Sequence, residues 1–259
     1  MLAMKQLGIV FILFYLAIIL YLFLQQKNFI FFPTKAKHNI SDKNIRPYSI
    51  TNDTITLHGW MINQKFAADR LIIYYGGNAE DIFYGAEQFR RYGDTAALLV
   101  NYRGYGGSSG SPGEKELFAD ALEIFDEIQS NYAPKKIFLM GRSLGSGIAS
   151  YVGAHRKTSG IILITPFDSI ESLARRQFPF LPVSFLLQHK FRSIDYVQQF
   201  SAPALIIYGG KDRIVPMAST RKLIEKIKDE PTVIFIEEAE HNNIELFDQY
   251  DLAILQFIQ

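Results

Sequence analysis

Six short, uninterrupted apolar runs constrain this chain more than any other feature. They are residues 71–75 (Leu-Ile-Ile-Tyr-Tyr), 96–100 (Ala-Ala-Leu-Leu-Val), 137–140 (Ile-Phe-Leu-Met), 161–164 (Ile-Ile-Leu-Ile), 205–208 (Leu-Ile-Ile-Tyr) and 233–236 (Val-Ile-Phe-Ile). A strand with one wet face alternates apolar and polar residues, whereas a strand that is apolar throughout is covered on both faces. Helical spacing fills the gaps. Residues 115–131 place Leu117, Phe118, Ala121, Leu122, Ile124, Phe125 and Ile128 on one face behind Pro112 and Gly113, and residues 244–258 also read as a helix. Residues 55–60 alternate and predict an early antiparallel strand. Buried strands separated by helices predict an α/β fold with a mostly parallel sheet and helices on both faces. Ligands on such sheets bind at the carboxyl ends of the strands, so the chemistry is sought there.

The N-terminal segment stands apart from this pattern. Residues 7–24 form an uncharged run of 18 residues, flanked by Lys5 and Lys27. As a helix the run rises about 27 Å, close to the ~30 Å of a bilayer core. It is longer than a signal-peptide core, and no small-x-small cleavage site follows. A soluble core helix is seldom apolar all round. The reading is therefore a membrane anchor over 1–28, with one large α/β domain over 29–259 whose segment 169–200 forms a lid. Lys35, Lys37 and Lys43 add to the basic residues on the side of the large domain, but a tail this short leaves open which side of the membrane that is.

Composition narrows the chemistry. The 259 residues contain no cysteine, which excludes disulfides, thiolate metal sites, a Cys nucleophile and a lipidated Cys. With 27 Lys+Arg against 26 Asp+Glu the net charge is +1, which excludes a strongly basic nucleic-acid binder. No metal, nucleotide or organic cofactor is implied. No His/carboxylate cluster has ligand spacing, and Gly104-Tyr105-Gly106 lacks the third glycine of a dinucleotide loop, with Ser109 in its place.

After the run ending at Met140 comes Gly141-Arg142-Ser143-Leu144-Gly145 and then a helix-compatible stretch. In this setting G-x-S-x-G predicts a nucleophile on a tight strand-to-helix turn, with the helix N-terminus favouring an oxyanion beside it. A serine needs a base, and the expected order is Ser, acid, His. His38 and His58 come too early, His155 falls on the helix after Ser143, and His189 lies in an irregular segment. His241, in a loop after the last strand, is the expected base. Asp212, just past the run ending at Tyr208, is the expected acid. Asp195 precedes that run, and Asp168 reads as a structural cap. The oxyanion hole is expected from the N–H of Leu144 and one from the loop Gly76-Gly77-Asn78-Ala79-Glu80. Asn78 is the preferred donor, with Gly77 open as the alternative. Arg103, within the glycine-rich run 102–112, either pins that loop or binds a substrate carboxylate, and pinning is favoured.

Together these residues resemble the serine hydrolases of the α/β-hydrolase superfamily. The likeness is strongest to the membrane-associated ABHD-type branch, which includes depalmitoylating thioesterases and fungal and bacterial relatives. The resemblance is carried by Phe31-Phe32-Pro33-Thr34, Gly77-Asn78-Ala79, the stretch Tyr102-Arg103-Gly104-Tyr105-Gly106, Gly141 to Gly145, and Asp212-Arg213-Ile214-Val215-Pro216. It covers the chain after residue 29. One departure is Gly76, where the family usually has His. The resemblance implies the α/β-hydrolase fold and the triad Ser143, Asp212 and His241. The expected function is a membrane-anchored serine hydrolase of carboxylic esters or thioesters. Its partners would be a small-molecule or acyl-chain substrate and a lipid bilayer. The alternatives are a serine peptidase of the same fold and an inactive hydrolase-fold binding module. Phe178-Pro179-Phe180-Leu181-Pro182-Val183 and Phe185-Leu186-Leu187 make the lid apolar, which suits an acyl chain or simple packing on the core.

Overall fold

A computed structural model describes residues 2–35, 42, 44–52 and 54–259; Lys37, His38 and Lys43 lie outside the described residues. The helix α1 (Leu2–Ile30) opens the chain. By length and composition its stretch Met4–Ile30 can cross a membrane, and its most apolar window is not buried against the rest of the protein. The chain then turns inward at Phe31, which is buried edge-on to the rings of His189 and Phe191.

The sheet has eight strands among the described residues: β1 (Ile45–Asn52), β2 (Ile55–Ile62), β3 (Arg70–Tyr75), β4 (Ala96–Val100), β5 (Lys136–Arg142), β6 (Gly160–Ile164), β7 (Ala204–Gly209) and β8 (Thr232–Ile236). Their spatial order is β1-β2-β4-β3-β5-β6-β7-β8. The β1–β2 and β2–β4 pairings are antiparallel and all the others parallel. The helices are α2 (Ile82–Arg90), α3 (Glu114–Tyr132), α4 (Leu144–His155), α5 (Ile170–Gln177), α6 (Val183–Leu186), α7 (Ser193–Tyr196), α8 (Met217–Ile224) and α9 (Asp248–Phe257). Residues from α3, α4 and α8 pack on one face of the sheet, and residues from α2 and α9 on the other. The fold is the mostly parallel α/β sheet that the uninterrupted apolar strands predict, doubly covered through β7, while the edge strand β8 leaves Val233 and Phe235 exposed against expectation.

The topology also selects a crevice. The chain passes from β3 to its neighbour β4 on one side, then crosses back to place β5 on the other side of β3. The loops leaving β3 and β5 therefore diverge, which is where an open α/β sheet leaves room for a ligand. The insert between β6 and β7 carries α5, α6 and α7. Its second half packs on the core through the buried Phe191, Val197 and Phe200, while Phe180 and Phe185 at its tip stay exposed.

Candidate active site

The loop after β5 is built around Ser143. Its backbone lies at φ 50°, ψ −115°, a conformation a side chain adopts only when its surroundings enforce it. The Ser143 amide donates to Ile164 O at 2.9 Å, and the Ser146 amide and hydroxyl both donate to Ser143 O. The glycines explain how this turn fits. A Cβ on Gly145 would come within 1.9 Å of Tyr75 O, so α4 can start against the end of β3 only because position 145 has no side chain. Ser143 is thereby held at the crevice between β3 and β5.

The loops after β7 and β8 bring the other two groups. A Cβ on Gly209 would come within 2.2 Å of Ala239 O, so the two loops close on each other only with glycine there. His241 Nε2 lies 2.9 Å from Ser143 Oγ, and His241 Nδ1 lies 2.7 Å from Asp212 Oδ2. The other Asp212 oxygen accepts the amides of Ile214 and Val215, each at 2.8 Å. The side chains of His241 and Asp212 are 8% and 3% exposed, so water does not compete for these contacts. The arrangement can move a proton from Ser143 Oγ to a buried, oriented imidazole.

Ser143, His241 and Asp212 converge, and the competing histidines and acids lie elsewhere. His58 is exposed on β2, and His155 is exposed on α4, its Nδ1 against Tyr151 O. His189 is buried in the insert, where its Nδ1 accepts the Glu114 amide, and burial pushes its pKa down. Asp195 pairs with Arg192 at the surface. Asp168 is structural, but its side chain does not cap a helix. Ser169 caps α5, while Asp168 accepts from Ser219 Oγ and Lys222 Nζ and so ties the end of β6 to α8. Burial alone would raise the Asp168 pKa; the Lys222 ammonium and the Ser219 and Ser172 hydroxyls outweigh it and hold the carboxyl below its usual 3.8. A depressed folded pKa contributes stability that is complete above the unfolded value and is lost as pH falls through the folded one. Asp168→Asn should therefore lose most stability near neutral pH and converge on wild type as acid protonates the folded carboxyl, below its usual 3.8, in denaturant titrations; a gap unchanged by acid would exclude this linkage.

The loop after β3 supplies the expected oxyanion donors. The Gly77 amide is already taken by Glu80 Oε2 at 2.6 Å, which leaves Asn78 as the better candidate of the two. Leu144 opens α4, so its amide is among those a helix leaves without an internal partner. The Asn78 side chain ties down the end of α1: Nδ2 donates to Ile30 O, and Oδ1 accepts from the Phe32 amide and from Tyr105 Oη. Arg103 makes two 2.6 Å bonds to the Asp120 carboxylate, which pins the 102–112 loop to α3. From that loop Tyr102 donates to Gly76 O.

Two residues of the site went unread in the sequence. Glu80 accepts from the Gly77 amide and from Tyr74 Oη. Arg142 lies 3.9 Å from Glu80 and 3.5 Å from Glu245, and it donates to His241 O at 3.3 Å. The one available signal was an arginine ending a buried central strand, a charge that must find partners.

Comparison with known proteins shows what the chain and its fold resemble. The chain is 30% identical over 241 residues to the uncharacterized protein Rv2307c of Mycobacterium tuberculosis, covering 89% of this chain and 85% of that one. It is 29% identical over 192 residues to human alpha/beta hydrolase domain-containing protein 17B, covering 72% of this chain and 65% of that one. The chain belongs to the ABHD-type α/β-hydrolases. Residues 86–192 of this hydrolase match the family described as serine aminopeptidase, S33. Its fold matches the Pyrococcus furiosus esterase Pf2001 with a TM-score of 0.70 at 20% identity, over 87% of this chain and 97% of that one. It also matches Est1E of Butyrivibrio proteoclasticus in its ferulic acid complex, with a TM-score of 0.69 at 18% identity, over 81% and 97%.

Proposed function

We propose that this hydrolase is anchored in a membrane by residues 1–28 and cleaves carboxylic ester or thioester bonds through an acyl-enzyme on Ser143, formed by the domain over 29–259. The observation that carries the reading is the hydrogen-bonded series Ser143–His241–Asp212. His241 Nε2 takes the Ser143 proton as Oγ attacks the substrate carbonyl. The oxyanion that forms faces the amides of Asn78 and Leu144. His241 returns the proton to the leaving alcohol or thiol, then activates a water that releases the acid and regenerates Ser143. Asp212 holds the imidazole with Nδ1 protonated and stabilises the imidazolium. The length and apolarity of α1 support the anchor.

A fluorophosphonate probe should label the wild-type chain, and Ser143→Ala should abolish labelling while its thermal unfolding stays cooperative. A folded wild-type chain that resists the probe would sink the enzyme reading and leave the binding module. The match to a family named for aminopeptidase activity favours peptide-bond cleavage as the second reading. A chain-length series of p-nitrophenyl esters beside aminoacyl amides separates the two; turnover of the amides alone would replace the esterase reading.

A further inference from the structure

We propose that residues 178–187, the tip of the insert, enter the same membrane leaflet as α1, so that the protein meets the bilayer through two elements. The inference rests on the reading of α1 as a membrane anchor. The domain holds the tip through buried Val183 and a bond from Lys190 Nζ to Ser184 O, but leaves its phenylalanines uncovered: Phe180 is 88% exposed, Phe185 92% and Phe178 48%. Three phenylalanines held in water on one charge-free segment mark an interaction surface.

The occupant follows from what lies beside the tip. Tyr15 Oη, midway along α1, donates to Phe180 O at 2.8 Å. Gln26 Oε1 accepts the Gln188 amide at 2.7 Å, and its Nε2 donates to Phe23 O and, at 3.4 Å, to Leu186 O. Positions 26 and 15 are about 16 Å apart along a helix at ~1.5 Å per residue, so the tip climbs α1 to the level of its middle. A helix whose apolar stretch spans a bilayer carries that tip into hydrocarbon beside it.

Most of the backbone amides of the tip meet the demand of such a place. In hydrocarbon, every polar main-chain group needs an internal partner. The amides of Leu181, Val183, Phe185, Leu186 and Leu187 all donate to carbonyls within the tip, while Pro179 and Pro182 carry no amide hydrogen. The Tyr15 hydroxyl, which would otherwise be orphaned in the bilayer, is satisfied by the Phe180 carbonyl. Arg175 and Arg176, exposed at the end of α5 just before the tip, have the chemistry for the headgroup layer. Past α1, Ile30 O and the Phe32 amide bond the side chain of Asn78, so the route from bilayer to the loop after β3 is one continuous hydrogen-bonded path.

The absence of cysteine makes the test clean. Single cysteines replace Phe180, Phe185, Ile12 on α1, and Lys228, exposed in the loop between α8 and β8, each in the full-length chain. Each carries an environment-sensitive fluorophore in vesicles of phosphatidylcholine and phosphatidylglycerol with brominated acyl chains. Phe180→Cys and Phe185→Cys should be quenched as strongly as Ile12→Cys and at least about twofold more than Lys228→Cys. Quenching at Ile12→Cys with none at either tip position overturns the inference and leaves the anchor standing. No quenching at Ile12→Cys removes the anchor, and the inference with it. A blue shift at the tip without lipid quenching means that protein, such as a second copy, covers it, and also overturns the proposal.

Discussion

Asp212→Asn should lower kcat/KM for ester hydrolysis about ten-thousand-fold with little loss of thermal stability. The reason lies in how the carboxylate is held. One oxygen accepts two backbone amides, from Ile214 and Val215, and the other faces His241 Nδ1. In asparagine only the carbonyl oxygen can accept those amides, so the NH2 group must point at His241. Nδ1 then becomes an acceptor, the imidazole carries its proton on Nε2, and the group facing Ser143 Oγ is a donor where a base is required. The fold keeps its hydrogen bonds while the chemistry loses its proton acceptor. Steady-state kinetics on a p-nitrophenyl ester, with melting curves in parallel, check both halves. Activity within tenfold of wild type would remove Asp212 from the mechanism.

What was legible in the sequence follows from where the cause of each element lies. The strands β3 to β7 sit in apolar runs that state their burial directly, and α3 falls within a residue of its expected limits at each end; the run in β8 misstates it, because an edge strand is left open and only Ile236 is buried. The strand β1 escaped notice because only Ile45 and Ile50 of its eight residues are buried. It also contains Pro47, opposite Trp60, which an edge strand tolerates because one side of it needs no ladder bond. The expected helix over 244–258 is broken at Phe247 into a short 3-10 turn and α9, although its apolar spacing hid the break. The helix α2 was missed because its buried face is only Ile82, Ala86 and Phe89, interrupted by Gly85. The convergence of Ser143, Asp212 and His241 was readable because each lies just past the carboxyl end of its own strand. The partners of Glu80 and Arg142 were not, because 62 positions separate the two side chains and only the adjacency of β3 and β5 brings them together.

That pair carries the second large effect. Glu80 shapes the loop after β3 by accepting the Gly77 amide, yet it puts a carboxylate beside the place where an oxyanion would form. Unbalanced, this charge would oppose the reaction, since a preorganised site works by aiming dipoles and cations at developing negative charge. Arg142 balances it from the preceding residue of the nucleophile turn, and through His241 O also holds the loop of the base. The two functions of Glu80 can be separated. Glu80→Ala removes the acceptor, frees the Gly77 amide and loosens the loop, so kcat should fall about a hundredfold while KM changes little. Glu80→Gln keeps a carbonyl for Gly77 and turns its NH2 to the Tyr74 oxygen, so it should stay within about tenfold of wild type. Arg142→Met leaves Glu80 and Glu245 without their shared cation and should cost at least as much as Glu80→Ala, in stability as well as in kcat. If Glu80→Gln is as impaired as Glu80→Ala, the charge on Glu80 is what the site requires, and its acceptor role is secondary. If Glu80→Ala turns over like wild type, the loop after β3 is held without Glu80, and Tyr102 and Tyr105 are then the groups that hold it.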